Sequence, residues 1–312
     1  MTEMASLWRL GGLSWVALAK RVWNEVQDDN VFGRAAELSY YFLLALFPFL
    51  IFLTSIIGLV LGSGTGTRHM LFNYLARIMP PSAFQLIDNT MYEVSSASGG
   101  GKLSFGLLAA LWAASNGLTA ITDSLNTAYD LTESRSWWKR RLVSIGLTMA
   151  LSVLIIGALT LVVGGGRIAE WLAGVYGFGP VFPVAWKIIQ WPVVLAFMTF
   201  AFALIYYFAP DIREQKWKWL TPGAVIGVAL WLLVSIAFRV YLHFFNSYSA
   251  TYGSLGAVII LMLWFYFTGA AVLIGGETNS EIENAAAKQG EPEAKEKGEK
   301  APDEKEGRPQ AA

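Results

Sequence analysis

Apolar residues in this chain come in six long runs, at roughly residues 35–61, 103–129, 142–163, 184–208, 221–243 and 257–276, separated by polar, glycine- or proline-containing breaks. About 20 apolar residues rising ~1.5 Å each cross a hydrocarbon core of ~30 Å. The pattern therefore predicts an all-α, polytopic membrane protein built as a six-transmembrane-helix bundle with amphipathic interfacial helices. Ahead of the first run, Leu7, Trp15, Leu18, Val22 and Val26 share one helical side, with Lys20, Asn24, Gln27 and Asp28 elsewhere. That predicts an amphipathic helix, either lying at the interface with Trp8, Trp15 and Trp23 at headgroup level or packed on the bundle's inner face. Residues 68–98 carry two further amphipathic patterns split by Pro80-Pro81, expected on the outer surface or as a cap. Beyond Asn284 the chain is rich in Lys, Glu, Pro, Gly and Ala, the composition of a disordered tail. The expected division is residues 1–34 as a cytoplasmic amphipathic segment, 35–284 as the membrane domain and 285–312 as a disordered cytoplasmic tail.

Polar residues inside the runs carry the functional signal. In the second run and just after it Asn116, Thr119, Asp123, Asn126 and Asp130 recur at spacings of 3, 4, 3 and 4, which places them on one helix face. In lipid such a face is costly, so it should turn toward the bundle interior or a water-filled cavity. Interhelical hydrogen bonding is the plainer use of the same face. The fifth run carries a second stripe, Ser235, Arg239, His243 and Asn246, at spacings of 4, 4 and 3. Arg239 either snorkels outward or attracts an anionic group. Thr221-Pro222 reads as an N-cap followed by proline at the first helical position, and Gly223 and Gly227 make a small-residue contact face. Gly164-Gly165-Gly166 is expected to end the third run.

The stretches RAAELSYYFLLALFPFLIF, LWAASNGLTAITDSLNTAY, FAPDIREQKWKWLTPGA and NSYSATYGSLGAVIILMLWFYFTGAAVLIGGETNSEIE stand in that order. Together they resemble the signature regions of the YihY/BrkB family of bacterial inner-membrane proteins, over Val31 to Asn284. The resemblance implies six helices and a cytoplasmic-membrane location, and some family members carry a ribonuclease label. It implies no mechanism.

Composition narrows the rest. Lys+Arg and Asp+Glu are both 23, so no global basic field attracts nucleic acid, and a ribonuclease groove is not expected. There is no cysteine, and the two histidines, His69 and His243, are far apart in sequence, so neither a metal centre nor a cofactor is expected. No nucleophile–base pair stands out, so no catalytic residue is assigned and the chain is not read as an enzyme. Basic residues gather before the first run (Arg9, Lys20, Arg21, Arg34), after the second (Arg135, Lys139, Arg140, Arg141) and after the fourth (Arg213, Lys216, Lys218). By the positive-inside rule both termini are cytoplasmic. The expected partners are membrane lipids. The expected function is transport or flipping of an anionic lipid or amphiphile, with the two polar stripes lining one cavity. A non-catalytic scaffold or envelope-integrity factor is the alternative, and the sequence sets no oligomeric state.

Overall fold

The computed structural model describes residues 8, 10–61, 100–177, 181–212, 221–244, 254–290, 294 and 297–298. Among them are a 3-10 turn, Leu10–Gly12, and seven α-helices, with no strand. The helices are α1 (Trp15–Asp28), α2 (Val31–Leu61), α3 (Gly100–Ala128), α4 (Trp137–Tyr176), α5 (Val181–Phe208), α6 (Pro222–Phe244) and α7 (Ser254–Lys288). The amphipathic patterns of residues 68–98 and the connector holding Asn246 lie outside the described residues.

Local chemistry sets the helix limits. The Ser14 side chain accepts from the Ala17 N–H and caps α1, whose Leu18, Val22 and Val26 are buried one turn apart. Asn30, at φ 49°, turns the chain from α1 into α2; a short amide side chain tolerates this left-handed conformation better than most. Thr221 caps α6 as its sequence foretells, accepting at 3.2 Å from the Ala224 N–H, and Pro222 is the first helical residue. The glycine triplet 164–166 does not end its helix. α4 runs through it to Tyr176 and stops at Gly177, which caps it at φ 69°. Interior glycine costs only ~1 kcal/mol per residue, and here it admits α5: a Cβ on Gly165 would meet the side chains of Gln190 and Trp186.

Among the described residues five helices are long and apolar enough to cross a membrane, within Val31–Leu53, Trp137–Val162, Val184–Phe208, Pro222–Tyr241 and Val258–Lys288. α3 is not in this set; it packs between α2 and α4. Contacts run around a ring: α7 to α2, α2 to α3, α3 to α4, α4 to α5, α5 to α6 and α6 back to α7. α7 also touches α1, α3 and the 3-10 turn, which makes it the hub.

The main core lies toward one end, here called the base, where Leu38, Leu125, Tyr206, Leu273 and Ile282 are buried together with Leu18, Val22 and Val26. α1 thus packs on the bundle while Trp15 and Trp23 stay exposed. At the base α5, α6 and α7 meet through Tyr206, 2% exposed, whose hydroxyl donates to the Val272 carbonyl at 2.7 Å. Gly223 and Gly275 let α6 and α7 touch backbone to backbone, since a Cβ on either would fall on the other's carbonyl oxygen. Asn279 locks this contact, accepting from the Gly223 N–H at 2.9 Å and donating to Thr221 Oγ1 at 3.0 Å.

If this contact holds the bundle together, Gly275→Leu should lower stability in detergent by at least ~1–3 kcal/mol through overpacking. Gly146→Leu, where a Cβ meets nothing within 4 Å, should not. Equal melting temperatures for the two variants would refute the assignment.

Candidate functional site

Between α2, α3 and α4 lies a cavity of about 340 Å³ lined by both polar and apolar side chains. Its polar wall is Asn116, Thr119 and Asp123 of α3 with Arg140 of α4 and Tyr41 of α2; Leu44, Ala45, Ala113 and Ala120 supply the apolar wall. Helical spacing explains the α3 contribution, because positions 3 and 4 apart fall in one line. The α4 contribution comes from its first turns, which lie along α3. Arg140 pairs with Asp123, the Thr119 hydroxyl donates to Ser144 Oγ at 3.0 Å, and Arg141 Nη1 donates to Asn116 Oδ1 at 2.7 Å.

Arg141 is the unusual member. It is 7% exposed, donates to the Trp112 carbonyl, and holds its guanidinium carbon 4.0 Å from the centroid of the Trp112 ring. Indole and carbonyl partners stabilise the charge without neutralising it. No carboxylate among the described residues forms an ion pair with Arg141, and the Nε–H groups of both Arg140 and Arg141 are buried without an acceptor among them. Of the two, Arg140 lines the cavity, where its guanidinium has the fork geometry that suits carboxylate or phosphate oxygens, and Arg141 holds Asn116 from behind that wall.

The fourth stripe residue, Asn126, does different work. Its amide donates to Glu133 Oε2 at 2.9 Å and accepts from the Asp211 N–H at 2.7 Å, tying α3 to the end of α5. Arg135 completes the tie, donating to Glu133 Oε1 at 2.7 Å and to the Ala209 carbonyl at 2.8 Å, with Asp211 Oδ1 at 3.5 Å. Ser134 donates both N–H and hydroxyl to Asp211 Oδ2. Burial alone pushes the Glu133 carboxyl up. The hydrogen bonds from Arg135 and Asn126, with the Arg135 charge, outweigh it and hold Glu133 below its ordinary value. Burial likewise opposes the Arg135 charge, but Glu133 and Asp211 raise it further.

The stripe of α6 stands apart. Arg239 is exposed and has no ion-pair partner among the described residues, and Ser235 Oγ is buried without one. The His243 side chain and Asn246 lie outside the described residues. α6 packs on α7 and α5, and none of its residues lines the α2–α3–α4 cavity. Sequence reasoning singled out Asn116, Thr119 and Asp123 but read Arg140 and Arg141 as part of a basic loop that sets topology. Their position just before a long apolar run masks a second use, and only the contact with Trp112 and Asn116 reveals it.

A family model described as "Virulence factor BrkB" matches residues 22–300. A "Putative ribonuclease-like protein YfkH" of Bacillus subtilis is 40% identical over 248 residues, 80% of this chain and 88% of its own. "UPF0761 membrane protein IL2447" of Idiomarina loihiensis is 30% identical over 227 residues, covering 70% and 74% of the two chains. "UPF0761 membrane protein Smlt0865" of Stenotrophomonas maltophilia is 25% identical over 276 residues, 86% of this chain and 61% of its own. No solved structure matches.

The Glu133 tie carries a pH signature. A carboxyl held below its ordinary value of 4.5 contributes stability that is present above that value and lost as pH falls through the folded one. The melting-temperature gap between wild type and Glu133→Gln in detergent should be full at neutral pH and shrink from ~pH 5 to ~pH 3. A gap independent of pH would contradict this.

Proposed function

The chain belongs to the BrkB family of integral membrane proteins, and on that footing we propose that it moves an anionic lipid or amphiphile across the bilayer, with the α2–α3–α4 cavity as the headgroup site. The observation that supports this most is the Arg140–Asp123 pair, set beside Asn116 and Thr119 on the polar wall of the cavity between α2, α3 and α4. Arg140 is the headgroup ligand in this reading, and Asp123 is its resting partner. An arriving phosphate or carboxylate takes over the guanidinium that Asp123 holds, so binding and release each exchange one anion for another instead of stripping a charge bare. Asn116, held by Arg141, and Tyr41 supply further hydrogen bonds, while Leu44 and Ala45 meet the apolar part of the ligand.

In the same reading α3 is a sixth span, tolerated because its polar residues border the cavity and pair with α4, as Asp123 does with Arg140 and Asn116 with Arg141. The base faces the cytoplasm of a bacterial inner membrane and both termini are cytoplasmic, which the clustering of Lys and Arg supports. Ser235, Arg239, His243 and Asn246 form a second, outer station, supported by the exposed and unpaired state of Arg239 among the described residues. The role is non-enzymatic; the ribonuclease-like name is that of the Bacillus subtilis relative.

Purified protein in liposomes should accelerate transfer of a fluorescent phosphatidylglycerol between leaflets, read by quenching of the outer leaflet with dithionite. Arg140→Ala should cut that rate roughly tenfold, a loss of about 1.4 kcal/mol, at unchanged insertion and melting temperature. The same preparation should leave RNA intact. Wild-type vesicles no faster than protein-free ones, or an Arg140→Ala rate equal to wild type, would refute the proposal.

A further inference from the structure

A second cluster of charges, which the transport reading does not use, lies at the base. Glu25 in the last turn of α1, Asp29 just after it and Glu277 on α7 bring one carboxylate oxygen each to within 4.8 Å of one another. Glu281, one turn along α7, and Asp130, after α3, border the same space through Lys297, whose Nζ lies 3.4 Å from Glu281 and 3.9 Å from Asp130. Five carboxyl groups thus face two described cations: Lys297, whose Nζ is also 2.7 Å from Glu25, and Arg21, 3.8 Å from Glu281.

Glu277 is what makes this more than an acidic patch. The residue is 0% exposed, and neither carboxylate oxygen accepts a hydrogen bond from any N–H or O–H among the described residues. Its neighbour there is another carboxyl, that of Asp29, whose Oδ2 is also buried without a donor. Buried carboxylates are stable when paired with a cation or coordinated to a metal, and two of them aimed at each other share a proton or hold a cation between them. Oxygen is the only donor type present, which selects a hard ion. Oxygens bound at ~2.3–2.6 Å on opposite sides of calcium lie up to about 5 Å apart, so the observed spread fits such an ion without rebuilding the base.

We propose that Glu25, Asp29 and Glu277 form a binding site for a hard divalent cation, and that the tail residue Lys297 is a tethered ammonium competing for the same carboxylates. Lys297 reaches the site because the Gly298 N–H donates to the Tyr129 carbonyl at 3.2 Å, which holds this point of the tail against the end of α3. The site joins α1 to α7, so a bound cation ties the N-terminal helix to the hub of the bundle. The proposal does not depend on the transport reading, and none of the variants below touches the α2–α3–α4 cavity.

The competition gives the test its direction. Full-length protein in detergent is titrated with Mn²⁺ and followed by electron paramagnetic resonance, with Ca²⁺ and Mg²⁺ as competitors. One saturable site is expected. Glu277→Gln, nearly isosteric, should weaken binding by roughly tenfold or more through loss of one ligand charge, whereas Lys297→Met should tighten it. If Glu277→Gln fails to fold, Glu25→Gln, on the half-exposed side of the site, takes its place. Absence of saturable binding in both wild type and Lys297→Met would overturn the proposal. So would unchanged affinity in the carboxamide variants, or a Lys297→Met protein that is destabilised and binds no cation, which would make the cluster a lysine–carboxylate tie only.

Discussion

Water is not at hand inside a bilayer to satisfy a polar group, so each one must find its partner within the protein. That constraint organises this molecule. The fully buried Tyr206 hydroxyl bonds to the Val272 carbonyl, and Asn279 spends both ends of its amide on the start of α6. Ser and Thr residues along α3 and α4 return their hydroxyls to carbonyls one turn back, as Thr122, Ser124, Thr148 and Ser152 do. Among the described residues the buried polar atoms left without a hydrogen bond include the neutral Trp186 Nε1, Ser235 Oγ and Ser280 Oγ, and the charged ones fall in two places: Arg140 and Arg141 at the start of α4, and Asp29, Glu277 and Lys297 at the base. Where polar pairing is otherwise thorough, unpaired charge marks the positions at which a ligand has something to offer.

Much of the helical skeleton was legible in the sequence because apolar run length and helical spacing are strong signals. The start of α6 at Pro222, the course of α5 and the small-residue face of Gly223 all follow from local chemistry. Two limits were not legible. The glycine triplet reads as a stop but is helix, because tertiary packing of Gln190 and Trp186 over Gly165 uses the missing side chain. The last helix reads as ending near Gly276 but continues to Lys288, since its acidic extension is covered by α1 and the 3-10 turn. Glu277, Glu281 and Asn284 look like a solvated helix end, and only three-dimensional contact shows them to be buried.

The candidate sites were legible in halves. The α3 stripe named Asn116, Thr119 and Asp123, yet periodicity within one helix says nothing about which neighbour completes the wall. Here the partner is the basic start of α4. Basic residues beside an apolar run have a ready explanation in membrane orientation, and that explanation hides any second role. The base cluster draws on positions 25, 29, 277 and 297, with no common period or motif, and so left no trace in the linear pattern.

The Gln289 side chain donates at 2.8 Å to the Gly11 carbonyl, 278 positions earlier in the chain. Gly11, at φ 57°, is seated so closely on α7 that a Cβ would strike the Ile282 carbonyl. The two ends of the helical domain therefore close on each other, and contacts of such long range form only after the intervening chain is in place. During synthesis the N-terminal helix must wait, its Leu18, Val22 and Val26 uncovered, until α7 has emerged. Completion of this contact therefore requires that every helix between has been made.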